Sequence, residues 1–361
     1  MGQGINMPRL KERFIKPESL KKFIKSVLIK LEIPKDHTDI IADSLIFASI
    51  RGIDSHGIVR LPYYIERLKQ KGTKSNPKIK IVSDYRGTAL IDGDNGMGQI
   101  IGIFASDLAI KKAIEFGIAM VNVKNSSHFG AASFYSNYIA KHHLIGLTVS
   151  NTTPVMAAWG GAGKIIGNNP LSIALPYKGS NPIVLDIAMS KVAGGKVRYY
   201  AKNKQNIPKG WIVDYQGKDT TNPDDLPQGG SLIPFGEHKG FALAIILELL
   251  SGGLSGGGIL SQVNSWLKKP DTPTNMSQIY IAVDIKKIID FDLFLRQIDL
   301  LIKEIKCSKV APGFQKIYIP GEIESEVERI RKKQGIPLTS EILSDLQKLS
   351  NTYQVKLPEL N

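Results

Sequence analysis

The sequence has 361 residues, of which 42% are hydrophobic and 22% are charged, with a formal net charge of +14 and a single cysteine. The apolar fraction excludes an intrinsically disordered chain, and the lack of a three-residue glycine period excludes a collagen-like one. One cysteine allows neither an internal disulfide nor a thiolate zinc cluster, so a reducing compartment, the cytoplasm, is expected.

Helical spacing of apolar residues dominates the start of the chain. It predicts two helices over residues 17–50, separated by Pro34, and a third helix over residues 58–70. The middle of the chain alternates strands and helices: strands at residues 78–82, 89–91, 118–123, 145–149, 172–175, 183–185 and 279–283, and helices at residues 100–116 and 241–251. The apolar helix at 241–251 is expected to be buried on most sides. From residue 291 onward the pattern is helical again, with breaks at Pro312, Pro320 and Pro337.

The positive charge raises the question of nucleic-acid binding. DNA- and RNA-binding proteins concentrate their cations on one stripe, often with aromatic residues between them. Here lysines recur along the whole chain, which predicts a lysine-rich surface and no nucleic-acid partner, with a non-catalytic nucleic-acid-binding protein as a distant alternative. The longest apolar stretch, residues 241–250, is too short to span a membrane. No apolar segment follows the basic residues of 1–30, so a secretory signal is not expected.

One segment combines several chemically reactive side chains. Residues 51–60, RGIDSHGIVR, place Asp54 and His56 two residues apart and Arg60 at helical spacing from Tyr64. A guanidinium is the natural partner of a substrate carboxylate, and an imidazole exchanges protons near neutral pH. Helix capping by residues 54 and 55 explains the same pattern equally well. The adjacent acid, hydroxyl and imidazole also suggest a hydrolase, but the G-x-S-x-G motif of that class is missing.

Other polar segments are weaker signals. His128 lies in KNSSHFG at residues 124–130, directly after a predicted strand. Residues 92–102 include Gly96, Gly98 and Gly102, but the spacing of these three is G-x-G-x-x-x-G rather than the G-x-G-x-x-G of dinucleotide-binding Rossmann domains. Glycines and lysines at 167–170, 186–196 and 234–240 are consistent with an anion site or with ordinary turns. The histidines show no metal-ligand spacing, so no metal is expected.

Taken together, eight segments resemble the malate/L-lactate dehydrogenase family of NAD(P)-dependent 2-oxoacid reductases. They follow the family order along the chain: residues 51–60, 125–130, 167–176, 186–196, 207–214, 234–240, 319–322 and 335–338. The resemblance implies an α+β fold with a helical domain built from both chain ends, residues 1–80 and 295–361. A mixed α/β cofactor-binding domain of non-Rossmann topology, residues 81–294, is inserted between them. It also implies a homodimer.

The resemblance further implies an activity and its residues. His56 and His128 are the candidates for proton transfer, with no choice between them, and Arg60 and Tyr64 would hold the substrate carboxylate beside Ser55. The residues expected to line the nicotinamide cofactor, NAD in preference to NADP, are Thr152, Asp186, Ile187, Ala188, Lys239, Pro320, Gly321 and Glu322. The expected reaction moves a hydride between nicotinamide and C2 of a small 2-hydroxy or 2-oxo acid of malate or lactate type. Reduction of a cyclic imine on the same scaffold is the alternative.

Three positions depart from the family pattern close to the expected cofactor. Asn168 stands where the family usually has threonine, Met189 also replaces a threonine, and Gly194 replaces an arginine. These departures bear on cofactor preference and affinity. The histidine and arginine positions of residues 51–60 match the family.

Overall fold

The computed structural model describes residues 13–177 and 182–360. The helices of this part of the chain are α1 (Pro17–Ile29), α2 (Lys35–Ile50), α3 (Leu61–Lys69), α4 (Gly98–Phe116), α5 (Ala132–Ala140), α6 (Gly194–Lys202), α7 (His238–Glu248), α8 (Phe291–Cys307), α9 (Glu322–Gln334) and α10 (Ser340–Tyr353). The helices predicted before residue 70 are confirmed as α1, α2 and α3. Helix α4 ends at Gly117, as predicted, because this glycine adopts a φ of +89° that other residues rarely tolerate.

The strands alternate with these helices. They are β1 (Arg13–Ile15), β2 (Lys80–Tyr85), β3 (Thr88–Asp92), β4 (Ile118–Ser126), β5 (Leu144–Ser150), β6 (Met156–Ala157), β7 (Lys164–Ile166), β8 (Leu171–Leu175), β9 (Ile183–Ile187), β10 (Ile212–Val213), β11 (Asp219–Thr220), β12 (Ser231–Leu232), β13 (Met276–Asp284) and β14 (Ile336–Leu338). Each of the seven strands predicted from the sequence lies within or overlaps one of them. The fold is therefore mixed α/β.

A seven-stranded sheet forms the centre of the molecule, in the order β2-β3-β4-β13-β5-β8-β9. Its middle strand β13 is antiparallel to both neighbours, with Tyr280 opposite Val121 of β4 and Thr148 of β5, whereas β3 and β4 are parallel. Helices α4 and α5 pack on one face of this sheet around Tyr280 and Tyr135. The residue of β13 directly before Tyr280, Ile279, belongs to the core on the other face of the sheet. Alternate residues of one strand thus serve two cores.

A second, five-stranded sheet has the order β11-β10-β12-β6-β7 and is also mixed. Its buried side chains, among them Met156, Ile212 and Leu232, share a core with Val149 and Ile279 of the central sheet. The loop that contains Thr152 and Val155 connects β5 of the central sheet to β6 of this second sheet, and Leu232 of β12 lines the same side of the cleft. The second sheet therefore positions one wall of the cleft described below.

The two ends of the chain share a third core. Leu20 and Leu45 of the first two helices are fully buried against Ile336 and Leu346 from the last part of the chain. Strands β1 and β14 join the ends directly, with Ile15 opposite Ile336. The sequence did not predict these strands, although β14 lies at Pro337, where a break in the helical pattern was expected. Three-residue strands are too short for a recognisable alternating pattern.

The glycines of the 92–102 segment have a packing role. A Cβ atom on Gly98 would lie 2.4 Å from the carbonyl oxygen of Ser127, and one on Gly102 would lie 2.4 Å from Tyr135. These glycines let the start of α4 approach the loop after β4 and helix α5. Their spacing reflects this close approach.

Helix α7 corrects one expectation. The sequence predicts that its apolar residues are buried on most sides, yet the side chains of Ile246 and Leu249 are both 52% exposed and Leu254 is 60% exposed. The helix continues into a π-helical turn at Leu249–Gly253, and only part of its surface contacts the sheet. Apolar residues surround the helix axis, so the sequence pattern alone does not distinguish the buried side from the exposed one. Nowhere in residues 13–177 and 182–360 is a helix both long and apolar enough to cross a bilayer.

Candidate active site

A cleft of about 520 Å³ opens between the shared core of the chain ends and the two sheets. The segments that line it are the turns before α3, the loop between β4 and α5, the ends of β5 and β9, the start of α6, a loop at residues 266–267 and the turn before α9. We call it the central cleft. Its volume is that of a typical small-molecule site.

The segment at residues 54–60 forms one end of the central cleft. It folds as two consecutive 3-10 turns, Asp54–His56 and Ile58–Arg60, that run directly into α3. Gly57 fits tightly against α2, since a Cβ there would lie 2.3 Å from the hydroxyl oxygen of Ser49, and that oxygen accepts a hydrogen bond from the amide of Ile58. The segment is therefore fixed on α2, and its polar side chains project from a rigid support.

Two histidines from distant parts of the sequence meet in the central cleft. The rings of His56 and His128 stack with centroids 5.5 Å apart and planes 9° from parallel. The Nδ1 atom of His56 lies 2.9 Å from the hydroxyl oxygen of Ser55, and the Nδ1 atom of His128 lies 2.8 Å from that of Tyr64. The backbone amide of Gly130 also donates to Nδ1 of His128, at 3.4 Å. Because an amide only donates, Nδ1 of His128 is an acceptor and its proton is on Nε2.

Both imidazoles are neutral at pH 7. Burial, followed by the positive charge of Arg60, lowers the pKa of His56 to about 4. Burial also lowers the pKa of His128 well below its usual value, with smaller contributions from His56, Arg60 and Arg67. Neutral imidazoles can donate a hydrogen bond from one nitrogen and accept one at the other. A negatively charged ligand beside them would raise both pKa values toward neutrality.

Arg60 presents a guanidinium to the same space. Its Nε donates to the carbonyl oxygen of Ser55, and the guanidinium lies 5.1 Å from the ring centroid of Trp266. Burial lowers the pKa of Arg60, and the charge of Arg198 lowers it further. Arg60 has no carboxylate partner in the described part of the chain. It can therefore bind an anion with its two terminal nitrogens.

Trp266 is a site residue that the sequence analysis missed. Its ring stacks on His128 with centroids 4.1 Å apart and an angle of 24° between the planes. The loop that carries it is held by the buried Arg67, which donates to the carbonyl oxygens of Gly72, Lys269 and Thr272 at 2.5, 3.0 and 3.0 Å. A single tryptophan in a polar loop carries no sequence signal of this role.

The opposite wall of the central cleft contains several of the residues predicted to contact the cofactor. The hydroxyl of Thr152 donates to the side-chain oxygen of Asn168 at 3.0 Å, so the departure at residue 168 pairs directly with a predicted site residue. The carboxylate of Asp186 faces the open cleft and accepts a hydrogen bond from the amide of Ser133 at 3.2 Å. Desolvation by the surrounding protein raises the pKa of Asp186 to about 6.

Not every residue predicted from the sequence lies on this cleft. Ser55, His56, Arg60, His128, Thr152, Asp186, Ala188 and Gly321 line it. Tyr64 lies behind His128, and Ile187, Lys239, Pro320 and Glu322 do not line it. The side chain of Glu322 accepts a hydrogen bond from the amide of Ile319, just before α9, at 2.9 Å, and Lys239 is exposed. Met189 is fully buried in the core below the cleft.

The wall that contains Asp186 also fits a flat ring. Ala188, Ala193, Gly194 and Gly321 line it with small side chains or none. Gly321 has a φ of +85°, and a Cβ there would lie 3.0 Å from the amide nitrogen of Val184. A wall of this kind exposes backbone and admits a planar group such as nicotinamide. No cluster of three or more His, Cys, Asp or Glu side chains in the described ranges could hold a metal ion.

Asp54 does not take part in a hydrolytic triad. Its carboxylate pairs with Arg331 of α9 rather than with His56. Ser55 and His56 are therefore a hydrogen-bonded pair without an acidic third member from this segment. The hydrolase interpretation of residues 54–56 finds no geometric support.

Comparison with known proteins agrees with this geometry. Residues 15–347 match the model of a family described as malate/L-lactate dehydrogenase. L-sulfolactate dehydrogenase from Methanocaldococcus jannaschii is 39% identical over 346 residues, which cover 96% of this chain and 98% of that protein. Malate dehydrogenase from Pyrococcus horikoshii is 37% identical over 341 residues, covering 92% and 94%. The crystal structure of malate dehydrogenase from Entamoeba histolytica superposes with a TM-score of 0.92 at 30% identity, covering 97% of this chain and all of that one.

These relatives confirm the resemblance seen in the eight segments, and they give no support to the nucleic-acid-binding alternative. They match along nearly the whole chain. The chain is an oxidoreductase of 2-hydroxy acids that uses a nicotinamide cofactor, and it belongs to the malate/L-lactate dehydrogenase family.

Proposed function

We propose that the protein interconverts a small 2-hydroxy acid and the corresponding 2-oxo acid, of malate, sulfolactate or lactate type, in the central cleft. The observation that carries this proposal is the meeting of two neutral histidines and an unpaired guanidinium, that of Arg60, in one cavity. The names of the relatives, malate and L-sulfolactate dehydrogenase, support the substrate class.

In this proposal Arg60 binds the carboxylate on C1 of the substrate, and Ser55 and Tyr64 hold the two imidazoles in place. Binding of that carboxylate adds a negative charge beside His56 and His128, which favours their protonated forms. In the reducing direction one imidazole donates a proton to the oxygen on C2, and in the oxidising direction it accepts one. General acid–base help of this kind contributes about 10²–10⁴-fold to the rate.

The cofactor is proposed to lie against the opposite wall, with NAD rather than NADP as the first choice. When bound, nicotinamide supplies or accepts the hydride. The small residues Ala188 and Gly321 and the carboxylate of Asp186, all on the cleft, support this placement. The remaining contacts proposed from the family pattern are those of Thr152, Ile187, Lys239, Pro320 and Glu322. Fluorescence titration with NADH and NADPH measures the preference.

We propose that the chain has two domains, a helical domain of residues 1–80 and 295–361 and a cofactor-binding domain of residues 81–294 with non-Rossmann topology. The core shared by Leu20, Leu45 and Leu346 supports the first, and the largely antiparallel central sheet supports the second. Residues 1–12, 178–181 and 361 belong to these ranges but lie outside the described part of the chain.

We also propose a homodimer that covers the α7 patch, a stripe formed by Leu243, Ile246, Leu249, Leu250 and Leu254. Side chains in this stripe are 40–60% exposed in the single chain, and monomeric proteins rarely expose a continuous apolar stripe. Light scattering after gel filtration tests it. Ile246→Asp is expected to give monomers, whereas Ile288→Asp, at a 74% exposed position outside the patch, is expected to leave the dimer intact. A wild-type monomer would contradict the proposal.

The activity itself is tested by absorbance at 340 nm. Malate, lactate, oxaloacetate, pyruvate and a cyclic imino acid are assayed with both cofactors, and the cyclic imine reports on the alternative reaction. His56→Ala and His128→Ala are measured with the best substrate. Near wild-type turnover in both variants would exclude the proposed acid–base chemistry.

A further inference from the structure

The central cleft contains a second guanidinium without a carboxylate partner. Arg198 lies on α6 and lines the cleft, as Arg60 does. Its charge is one of the causes that lower the pKa of Arg60, so the two cations influence each other across the cavity. No local pattern in the sequence distinguishes Arg198 from the other lysines and arginines among the 47 of the chain.

The guanidinium of Arg198 lies beside two neighbouring glycines. Its Nη1 atom lies 3.6 Å from where a Cβ of Gly194 would be, and its Nη2 atom lies 3.8 Å from where a Cβ of Gly195 would be. The guanidinium thus folds back over the first turn of its own helix. Side chains longer than alanine at these two positions would compete with it for this space. Gly194 is one of the three departures from the family pattern.

The charges around the cleft are unbalanced. Arg51 also lines it, but its guanidinium is paired with Glu328 at 2.7 Å. Neither Arg60 nor Arg198 forms an ion pair within the described residues. The carboxylates on the cleft are those of Asp186 and Glu324. Two unpaired guanidinium groups that face one cavity repel each other, and a ligand with two separate negative groups relieves this repulsion.

We propose that Arg198 is a specificity-determining residue that binds the second acidic group, a carboxylate or a sulfonate, of a 2-hydroxy or 2-oxo diacid. Arg60 binds the carboxylate on C1, so the two guanidinium groups hold the substrate at both ends. This inference rests on the proposed function, because it assigns the diacids as the substrates of the same site. A substrate with one carboxylate has no partner for Arg198.

The test compares diacids with monoacids in the Arg198→Gln variant. The values of kcat/KM for oxaloacetate and 3-sulfopyruvate are each divided by the value for pyruvate. Loss of a charged hydrogen-bonded contact is expected to lower both ratios about ten- to a hundredfold. Lys202→Gln removes one positive charge from the same helix at a residue paired with Glu341, and it is the control for general charge effects. This control is expected to keep the wild-type ratios.

A second variant tests the role of the glycine. Gly194→Val places a branched side chain beside the guanidinium, so it is expected to lower the same ratios. The double variant Gly194→Val/Arg198→Gln is expected to show no further loss, since both changes remove the same contact. Additive losses would mean that Gly194 acts independently of Arg198.

Three outcomes would overturn the inference. If the ratios do not change in Arg198→Gln, Arg198 does not contact the second acidic group. If the ratios stay constant while the Kd for NADH rises, Arg198 binds a phosphate of the cofactor instead. If the wild-type protein prefers pyruvate to both diacids, the site is not built for diacids. In each case activity with 2-oxo acids would remain, so the proposed function fails only if the wild-type protein reduces none of them.

Discussion

Arg331 of helix α9 holds Asp54, the residue directly before the Ser55–His56 pair, with hydrogen bonds of 2.5 and 3.0 Å. The same guanidinium donates to the carbonyl oxygen of Ser49 at the end of α2. A residue from the last part of the chain therefore fixes a turn from the first part. The turn carries one of the two histidines of the central cleft.

We expect Arg331→Met to lower kcat about ten- to a hundredfold, because small misplacements of a reacting group are costly. The carboxylate of Asp54 is more than half exposed, so the loss of stability is expected to be about 1 kcal/mol or less. Steady-state kinetics and a thermal melt measure the two effects. Lys332→Met, which removes the ion pair between Lys332 and Glu328 on the same helix, is the matched control. Equal losses of activity in both variants would contradict this role of Arg331.

Arg67 is expected to stabilise the loop that carries Trp266. It is almost fully buried and donates to several backbone carbonyl oxygens, which Arg67→Met would leave without partners. A loss of about 3 kcal/mol in the free energy of unfolding is expected, measured by urea denaturation. Trp266→Phe keeps these backbone bonds and is expected to reduce activity with a much smaller loss of stability. A larger loss of stability in Trp266→Phe than in Arg67→Met would contradict this role of Arg67.

Tyr64→Phe is expected to lower kcat about tenfold, because it removes the hydroxyl that donates to Nδ1 of His128. The amide of Gly130 still donates to that nitrogen, so the tautomer is kept and part of the activity remains. Tyr63→Phe is the control, since that side chain is 45% exposed and is not hydrogen-bonded to His128. An unchanged kcat in Tyr64→Phe would show that the hydroxyl does not orient the imidazole.

The stability of the protein is expected to depend on pH through His56. Its pKa is about 4 in the folded state and about 6.5 in an unfolded chain. Between these values the unfolded state binds more protons, so His56 reduces stability as the pH falls from about 6.5 to about 4. Removing the imidazole removes this effect. The difference between the Tm of His56→Gln and the Tm of the wild type is therefore expected to increase as the pH falls over this range.

The pKa shift of Asp186 is expected to change the pH dependence of stability in the opposite direction. Its pKa is about 6 in the folded state and 3.8 for an unperturbed side chain, so here the folded state binds more protons between these values. Protonation of the Asp186 carboxylate therefore stabilises the folded state as the pH falls. The Tm of Asp186→Asn is expected to fall relative to that of the wild type between pH 6 and pH 4. Melting curves at several pH values separate the two residues. If the Tm of each variant changes with pH in parallel with the Tm of the wild type, these pKa shifts are excluded.

The sequence predicted well what depends on local pattern. Helices α1 and α2 were recognised because their apolar residues repeat at helical spacing, and the end of α4 because a glycine, Gly117, follows the helical pattern. The segments with His56 and His128 were selected by residue type and resemblance. Their contact across the cleft could not be read from spacing, since it depends on how α2 packs beside the central sheet.

The sequence could not predict what depends on tertiary contacts. Trp266, Arg67 and Arg198 have ordinary local surroundings, and each becomes important only through a partner that is distant along the chain or through a cavity. Asp54 illustrates the same limit, because adjacency suggested a partner in His56 whereas the fold supplies Arg331. The exposure of α7 was mispredicted since an all-apolar helix does not indicate which side faces solvent.

The position of β13 has a consequence for how the chain is made. This strand completes the central sheet between β4 and β5, yet it is synthesised long after both. The core of the N-terminal helices is likewise complete only after β14 and α10 have been synthesised. Most stabilising contacts are therefore long-range, which favours slow folding and leaves the edges of β4 and β5 unpaired on the ribosome. Productive folding is expected after release of the nascent chain, with chaperones protecting these strand edges until then.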